Sequence, residues 1–147
     1  MKTIFTSLFA IVILTISMSS CSKNDNSAVG GSIVGKWTVV QTVISLGGAP
    51  VQTIPYDGNI AGCSKNYTEF LAGGEAKGVE YSKVNTVCTA TTEQGTWVLT
   101  GNNLKTTFGT DVSNTTITSV NAAQMIVSGT EVQSGVTYTY SITFARI

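Results

Sequence analysis

The C-terminal stretch of this chain alternates strictly between large apolar and small residues, and this pattern limits the fold more than any other. From Val136 to Ala145, one Val, two Tyr, one Ile and one Phe occupy every second position, with Thr, Ser or Ala between them. Successive side chains of a β-strand point to opposite faces of the sheet. The pattern therefore predicts a strand with one apolar face and one face of small, mostly hydroxyl-bearing side chains.

The rest of the chain after residue 32 alternates short runs of strand-forming residues with turn residues, about ten residues apart, as in an all-β sandwich or barrel. In the first run, Trp37, Val39 and Val43 are expected to face the core and Thr42 to face away from it. The eight predicted strands are Val34–Ile44, Tyr67–Ala72, Ala76–Tyr81, Gly95–Thr100, Leu104–Phe108, Thr115–Val120, Gln124–Ser128 and Val136–Ala145.

The predicted strands are joined mostly by short turns, marked by pairs such as Gly73-Gly74 and Gly101-Asn102. Short links favour pairing of consecutive strands, which gives an antiparallel up-and-down order. Eight such strands with one apolar face leave no free edge when they close, so we predict an all-β, eight-stranded antiparallel up-and-down barrel. An open sandwich is the structural alternative.

Composition excludes several classes of function. The chain has eight basic and eight acidic residues, so it lacks the positive excess of a nucleic-acid-binding protein, and we expect no nucleic-acid partner. It contains no histidine, which removes Ser-His-Asp triads, Cys-His proteases and histidine metal sites. We therefore expect no catalytic residues, no metal site, no cofactor and no enzymatic activity.

The N-terminus has the features of an export signal. Lys2 is followed by a nearly uninterrupted apolar run from Ile4 to Ile16, which is shorter than the roughly 20 residues of a membrane-spanning helix. Small residues then lead to Cys21, with Met18 three positions before it. This arrangement resembles a bacterial lipoprotein signal, in which the peptide is cut just before a lipidated cysteine. The alternative is an ordinary secreted protein with an incidental cysteine.

These features predict a signal peptide over residues 1–20 and a flexible tether over residues 21–32 with lipid on Cys21, because the segment from Ser22 to Ser32 is polar and contains glycine. The anchor would make a membrane the partner of this chain. The residue after the cysteine is Ser22 and not Asp, which by resemblance to known sorting rules favours the outer membrane, at its periplasmic face or on the cell surface.

The other two cysteines, Cys63 and Cys88, form an even pair in a protein expected to be exported. In an oxidising compartment such a pair favours one disulfide, worth roughly 3 kcal/mol in the chain-entropy model. Two free thiols are the alternative.

The order of motifs resembles a known family. The domain opens with Gly35-Lys36-Trp37, followed by Cys63, the segment Tyr67–Phe70, Cys88 and a second Gly-x-Trp at Gly95-Thr96-Trp97. This order is similar to the lipocalin-like domains of Bacteroidota lipoproteins, which are calycin-like β-barrels. The resemblance implies a lipocalin-like barrel over residues 33–147.

The resemblance also implies that Trp37 closes one end of the barrel and that a basic residue of the last strand lies across it. Arg146 occupies the corresponding position. A cation–π contact between the two would contribute roughly 0.5–2 kcal/mol. Alternatively, Arg146 is simply solvated at the C-terminus.

The barrel interior is the predicted ligand site, because aromatic walls with a few hydroxyls suit a small apolar molecule. We expect non-catalytic binding of a small hydrophobic or amphipathic ligand. A solid core, with the protein serving as an envelope module that binds another protein or polysaccharide, is the alternative. The sequence predicts no oligomeric state. The residues proposed to contact a ligand are Phe70, Tyr81, Trp97, Phe108, Met125, Tyr138 and Tyr140.

Overall fold

The computed structural model describes residues 27–28 and 30–147, and every regular element in them is a β-strand. The predicted signal peptide and the predicted lipid site at Cys21 lie outside the described residues. Two short strands, β1 and β2, precede nine longer ones. Their bounds are β1 Ser27–Ala28, β2 Gly31–Ser32, β3 Gly35–Leu46, β4 Ala49–Pro55, β5 Tyr67–Phe70, β6 Glu75–Val84, β7 Val87–Thr100, β8 Asn103–Phe108, β9 Asp111–Val120, β10 Gln124–Gln133 and β11 Val136–Arg146.

Eight antiparallel strands form a closed barrel, which confirms the predicted fold class. Strands β5 to β11 pair in chain order, β3 pairs with β5, and β11 returns to pair with β3. At the closed end, closure of the barrel pairs the backbone N–H and C=O groups on both edges of every barrel strand. Strand β4 is extra, because it pairs only with the second half of β3.

Strand β4 was not among the eight predicted strands. All seven residues of β4 are exposed, so neither of its faces has to be apolar. The alternation of apolar and polar side chains that would identify a strand in the sequence is therefore missing. Pairing with β3 creates this strand, and the left-handed turn at Gly47-Gly48 makes that pairing possible.

A β-bulge in β3 overturns the predicted orientation of Val43 and Thr42. Phe144 of β11 lies opposite Val39, but the next residue, Thr143, lies opposite Gln41, so Val40 is the extra residue. One inserted residue reverses the face of everything beyond it. Thr42 is consequently paired with Ile142 on the inner face, and Val43 is turned outward.

The core fills the end of the barrel where β3 begins. Ile33 and Trp37 have no exposed surface, and Trp97, Leu99 and Ile117 pack in the same cluster. The alternation of buried and exposed residues in β7 shows the pleat directly, since Trp97 and Leu99 are buried while Val98 between them is exposed. This end is called the closed end below.

The opposite end is called the mouth. The hairpin turns β3–β4, β6–β7, β8–β9 and β10–β11 all lie there, because the strands run alternately up and down. The β6–β7 hairpin projects into solvent, since all residues from Ser82 to Gln94 are exposed. Its length exceeds the prediction, because exposed Thr-rich segments lack the apolar face by which the strands were identified.

The segment before the barrel docks at the closed end. Strand β2 pairs with β1, and Gly30 lies so close to the Val120 carbonyl that a side chain at position 30 would collide with it. Thus the described part of the predicted tether, residues 27–28 and 30–32, contains two paired strands. The extent of the tether and the domain boundaries remain predictions.

Candidate functional site

A cavity of about 130 Å³ lies in the middle of the barrel, between the core at the closed end and the mouth. Its lining residues come from five of the eight barrel strands, and the apolar ones from four of these five. Phe70 and Met125 are buried at its base, whereas Ser113 is exposed and lies toward the mouth. The lining residues are Thr68, Phe70, Leu104, Thr106, Phe108, Ser113, Thr115, Met125, Val127, Ile142 and Phe144.

Three of the predicted ligand residues, Phe70, Phe108 and Met125, line this cavity. Phe108 keeps its position because neighbouring strands carry glycine beneath its ring. A Cβ atom at Gly95 would come within 2.6 Å of the Phe108 ring, and one at Gly78 within 3.6 Å. The ring therefore occupies space that other residue types on β6 and β7 would fill.

Trp97 lies one layer further toward the closed end. Its ring packs edge-to-face on Phe70, with ring centroids 5.8 Å apart, and its indole N–H donates to the Leu71 carbonyl at 2.9 Å. A buried indole N–H needs such a partner. Trp97 therefore supports the cavity wall through Phe70, and it is not among the lining residues.

Tyr138 and Tyr140 are on the inner face of β11, nearer the mouth than the cavity. The β10–β11 register places Tyr140 opposite Gly129, and a Cβ on that glycine would collide with the tyrosine ring. The Tyr138 hydroxyl donates to Gln133 at 3.3 Å. Neither tyrosine lines the cavity, so a role for them in ligand binding remains a prediction for molecules that extend to the mouth.

Tyr81 lies on the outer face of β6, contrary to the expected inward orientation. Gly78 is beneath the Phe108 ring inside the barrel, and the odd-numbered neighbours Val79 and Tyr81 therefore point outward. Val79 is buried, but it does not belong to the main core cluster. The sequence did not reveal this orientation, because an apolar residue such as Val79 fits an outward position covered by a loop as well as a position in the core.

The covering loop, residues 56–66, fills the wall where β5 is short. Asn66 connects it to the barrel: its side-chain amide donates to the Gly58 carbonyl at 2.9 Å and to the Tyr56 hydroxyl at 3.1 Å, and its carbonyl accepts from the Tyr81 N–H at 2.7 Å. A gap of about 170 Å³ beside Asn66 and Tyr56 remains in the wall.

A disulfide between Cys63 and Cys88 attaches the same loop to the projecting β6–β7 hairpin. The two Cα atoms are 5.7 Å apart. Lys83 adds a hydrogen bond to the Ala61 carbonyl at 3.2 Å. The covalent link joins residues 25 positions apart in the chain and stabilises a part of the wall that no strand pairing closes.

Trp37 and Arg146, the two residues expected to close the barrel, lie in contact at the closed end. The guanidinium carbon of Arg146 is 4.2 Å from the Trp37 ring centroid. Two of its nitrogens donate to the carbonyls of Val34 and Ser32, each at 2.8 Å. The guanidinium also passes directly over Gly35, whose φ of 134° and missing side chain leave room for it.

The hydroxyl-bearing part of the cavity wall was not predicted from the sequence; it is formed by Thr68, Thr106, Ser113 and Thr115. A signal was present: Thr106 lies two residues before Phe108, which was predicted to face the barrel interior, and so shares its face. Threonine had been assigned to the outer surface as a class, and that assignment concealed these residues.

Among the described residues, no group of three or more His, Cys, Asp or Glu side chains is arranged to hold a metal ion. None of the elements described from Ser27 onward is a helix long and apolar enough to cross a membrane.

Comparison with known proteins identifies the family. A model of the lipocalin-like domain matches residues 33–127. Among solved structures, a deswapped triple mutant of bovine odorant binding protein is similar, with 14% identity, a TM-score of 0.39 and coverage of 77% of this chain and 72% of that one. Aphrodisin, a sex pheromone from the female hamster, has 16% identity, a TM-score of 0.35 and coverage of 76% and 72%.

A comparison with curated protein sequences found no match. The family model covers well over half of the chain and includes both Gly-x-Trp segments as well as the two disulfide cysteines. This chain therefore belongs to the lipocalin-like domain family.

Proposed function

We propose that this protein is an envelope lipoprotein, anchored through Cys21, whose barrel binds a small hydrophobic or amphipathic molecule without catalysing a reaction on it. The observation that supports binding is the cavity of about 130 Å³ with walls of Phe, Met, Leu, Ile and Val. Apolar cavities of nearly this size can hold one small aromatic molecule. Support for the anchor comes from the N-terminal sequence alone.

The first experiment is native mass spectrometry of the protein purified from its own host in mild detergent. We expect an additional mass that is lost in Val127→Phe, because Val127 lines the cavity and a larger side chain fills it. Val98→Phe is the matched control, since Val98 points outward on β7 and is 56% exposed. If all three proteins carry the same additional mass, the molecule binds elsewhere and the cavity is not its site.

The anchor is tested by metabolic labelling with radioactive palmitate. We expect label on the wild type and on Ser22→Ala, and none on Cys21→Ala. Label that persists on Cys21→Ala would contradict the assignment of Cys21. Fractionation of labelled cells, followed by protease treatment of intact cells, then separates outer from inner membrane and the cell surface from the periplasmic face.

The alternative function, an envelope interaction module, is favoured by a ring of exposed aliphatic side chains around the mouth. Each of the four hairpins there carries at least one of them next to its turn. They are Leu46, Val84, Val87, Val112, Val132 and Val136.

Replacing Val84, Val87 and Val132 by Thr keeps strand-forming, β-branched side chains but makes the mouth polar. If these residues contact a protein or polysaccharide of the envelope, the triple variant loses chemical crosslinks formed in intact cells and retains the molecule bound in the cavity. Unchanged crosslinks would remove this alternative.

A further inference from the structure

We propose that the cavity selects a compact, uncharged molecule about the size of one six-membered ring that carries a hydrogen-bonding oxygen. This inference rests on the proposed function, because it names the class of ligand for the same site. It depends on three features of the described residues: the hydroxyl groups of one wall, the size and aromatic character of the others, and the charges between the cavity and the mouth.

One wall of the cavity is polar. Thr106 of β8 and Ser113 of β9 are register partners, and Thr115 lies two residues from Ser113 on the same face. All three line the cavity, so their hydroxyls form a continuous patch across two neighbouring strands. A hydroxyl both donates and accepts hydrogen bonds, and the patch therefore suits an alcohol, phenol or carbonyl oxygen.

The remaining walls are aromatic and aliphatic. Phe70, Phe108 and Phe144 face the cavity from β5, β8 and β11, so a flat ring would contact phenylalanine on several sides. A volume of about 130 Å³ is close to the roughly 150 Å³ of an engineered apolar cavity that holds benzene. A long acyl chain exceeds this volume and would have to extend out of the cavity toward the mouth.

The inner wall between cavity and mouth carries negative charge. Gly78 faces inward beneath Phe108; its register partner Glu93 and the residue two positions on, Glu80, share that face. These carboxylates would repel an anionic head group that projects toward the mouth. The lysines on the barrel strands provide no compensation, because Lys36, Lys77, Lys83 and Lys105 all alternate with inward residues and so lie on the outer face.

The experiment measures dissociation constants by NMR titration of the full chain with four probes. Toluene has nearly the shape of phenol but carries a methyl group in place of the hydroxyl. Benzoate is a charged ring of similar width, and dodecanoate carries a charge on a long chain. The variant is Thr106→Val with Thr115→Val, which removes two hydroxyls at nearly constant volume. Thr107→Val on the outer face of β8 is the matched control.

We expect phenol and toluene to bind the wild type and both carboxylates to bind more weakly than phenol. The double variant should bind phenol about three- to tenfold more weakly, as expected for the loss of one net hydrogen bond, and its dissociation constant for toluene should be unchanged. Retained toluene binding also shows that the variant is folded. The control variant should bind both as the wild type does.

Two results overturn the inference while the proposed function stands: tighter binding of benzoate or dodecanoate than of phenol, or equal losses of phenol and toluene in the double variant. If none of the four probes binds, the cavity is not a binding site, and the proposed ligand-binding function fails together with the inference.

Discussion

Replacing Arg146 by Met should destabilise the barrel by about 3 kcal/mol, because three contacts of one guanidinium are lost together. Two charged hydrogen bonds reach the Val34 and Ser32 carbonyls at 2.8 Å, and the group lies 4.2 Å from the Trp37 ring centroid. Hydrogen bonds to charged groups contribute about 1.5–3 kcal/mol when buried, so we count about 1 kcal/mol for each of these partly exposed bonds. The cation–π contact adds about 1 kcal/mol.

The assay is urea denaturation followed by tryptophan fluorescence. With a slope of about 2 kcal/mol per molar urea, a loss of about 3 kcal/mol lowers the midpoint by about 1.5 M. Arg146→Lys is the control, because an ammonium keeps the charge but has neither the planar surface to stack on Trp37 nor a fork of donors for two carbonyls. Its midpoint should fall between those of the wild type and Arg146→Met.

Hydrogen exchange provides a local measurement of the same effect. Arg146 connects the last strand to residues 32–34 across the closed end, so exchange there should accelerate in Arg146→Met more than in the middle of β7. A midpoint within about 0.2 M of the wild type, or identical midpoints for the Lys and Met variants, would contradict this role of the Arg146 guanidinium.

Three further predictions concern the wall and the strands. Reduction of the Cys63–Cys88 disulfide should lower the free energy of unfolding in urea by about 3 kcal/mol. Reductant should have no effect on the Cys63→Ser/Cys88→Ser double variant; an effect there would show that the loss does not come from this disulfide. Asn66→Ala should cost about 2 kcal/mol and speed proteolysis of the loop over residues 56–66, because three hydrogen bonds are lost; unchanged proteolysis would contradict the connecting role of this residue. Gly95→Ala should lower the free energy of unfolding by about 2 kcal/mol, because the added Cβ would collide with the Thr107 carbonyl oxygen and the Phe108 ring, whereas Gly73→Ala, with open space around it, should not; equal thermal midpoints would contradict the collision.

Most of the barrel could be predicted from local patterns. All eight barrel strands overlap predicted strands, and β11 was predicted almost residue for residue, because its large side chains alternate without interruption. Alternation is visible in sequence where a strand has one face toward the core and the other toward solvent, as in the second half of β7. Strand β4 and the outer half of β7 escaped prediction for the opposite reason: both of their faces are exposed.

The candidate site was only partly predictable, since it depends on which residues meet across strands. Phe70, Phe108 and Met125 were expected inside and line the cavity. Tyr81 was expected inside and lies outside, where a loop tied by Asn66 covers its strand. The loop and the strand are distant in sequence, and nothing local to Tyr81 reports the contact.

Local residue patterns alone predicted that this chain builds antiparallel strands with one apolar face. The direction in which several side chains point depends instead on how the strands pair. The bulge at Val40 turns Thr42 inward and Val43 outward, and the pairing of Thr106 with Ser113 assembles the hydroxyl patch. Alternation is a property of one strand and can be read from its residues. Bulges and register are set by pairing between strands, and because a shift of one residue reverses every face beyond it, they determine which side chains face inward.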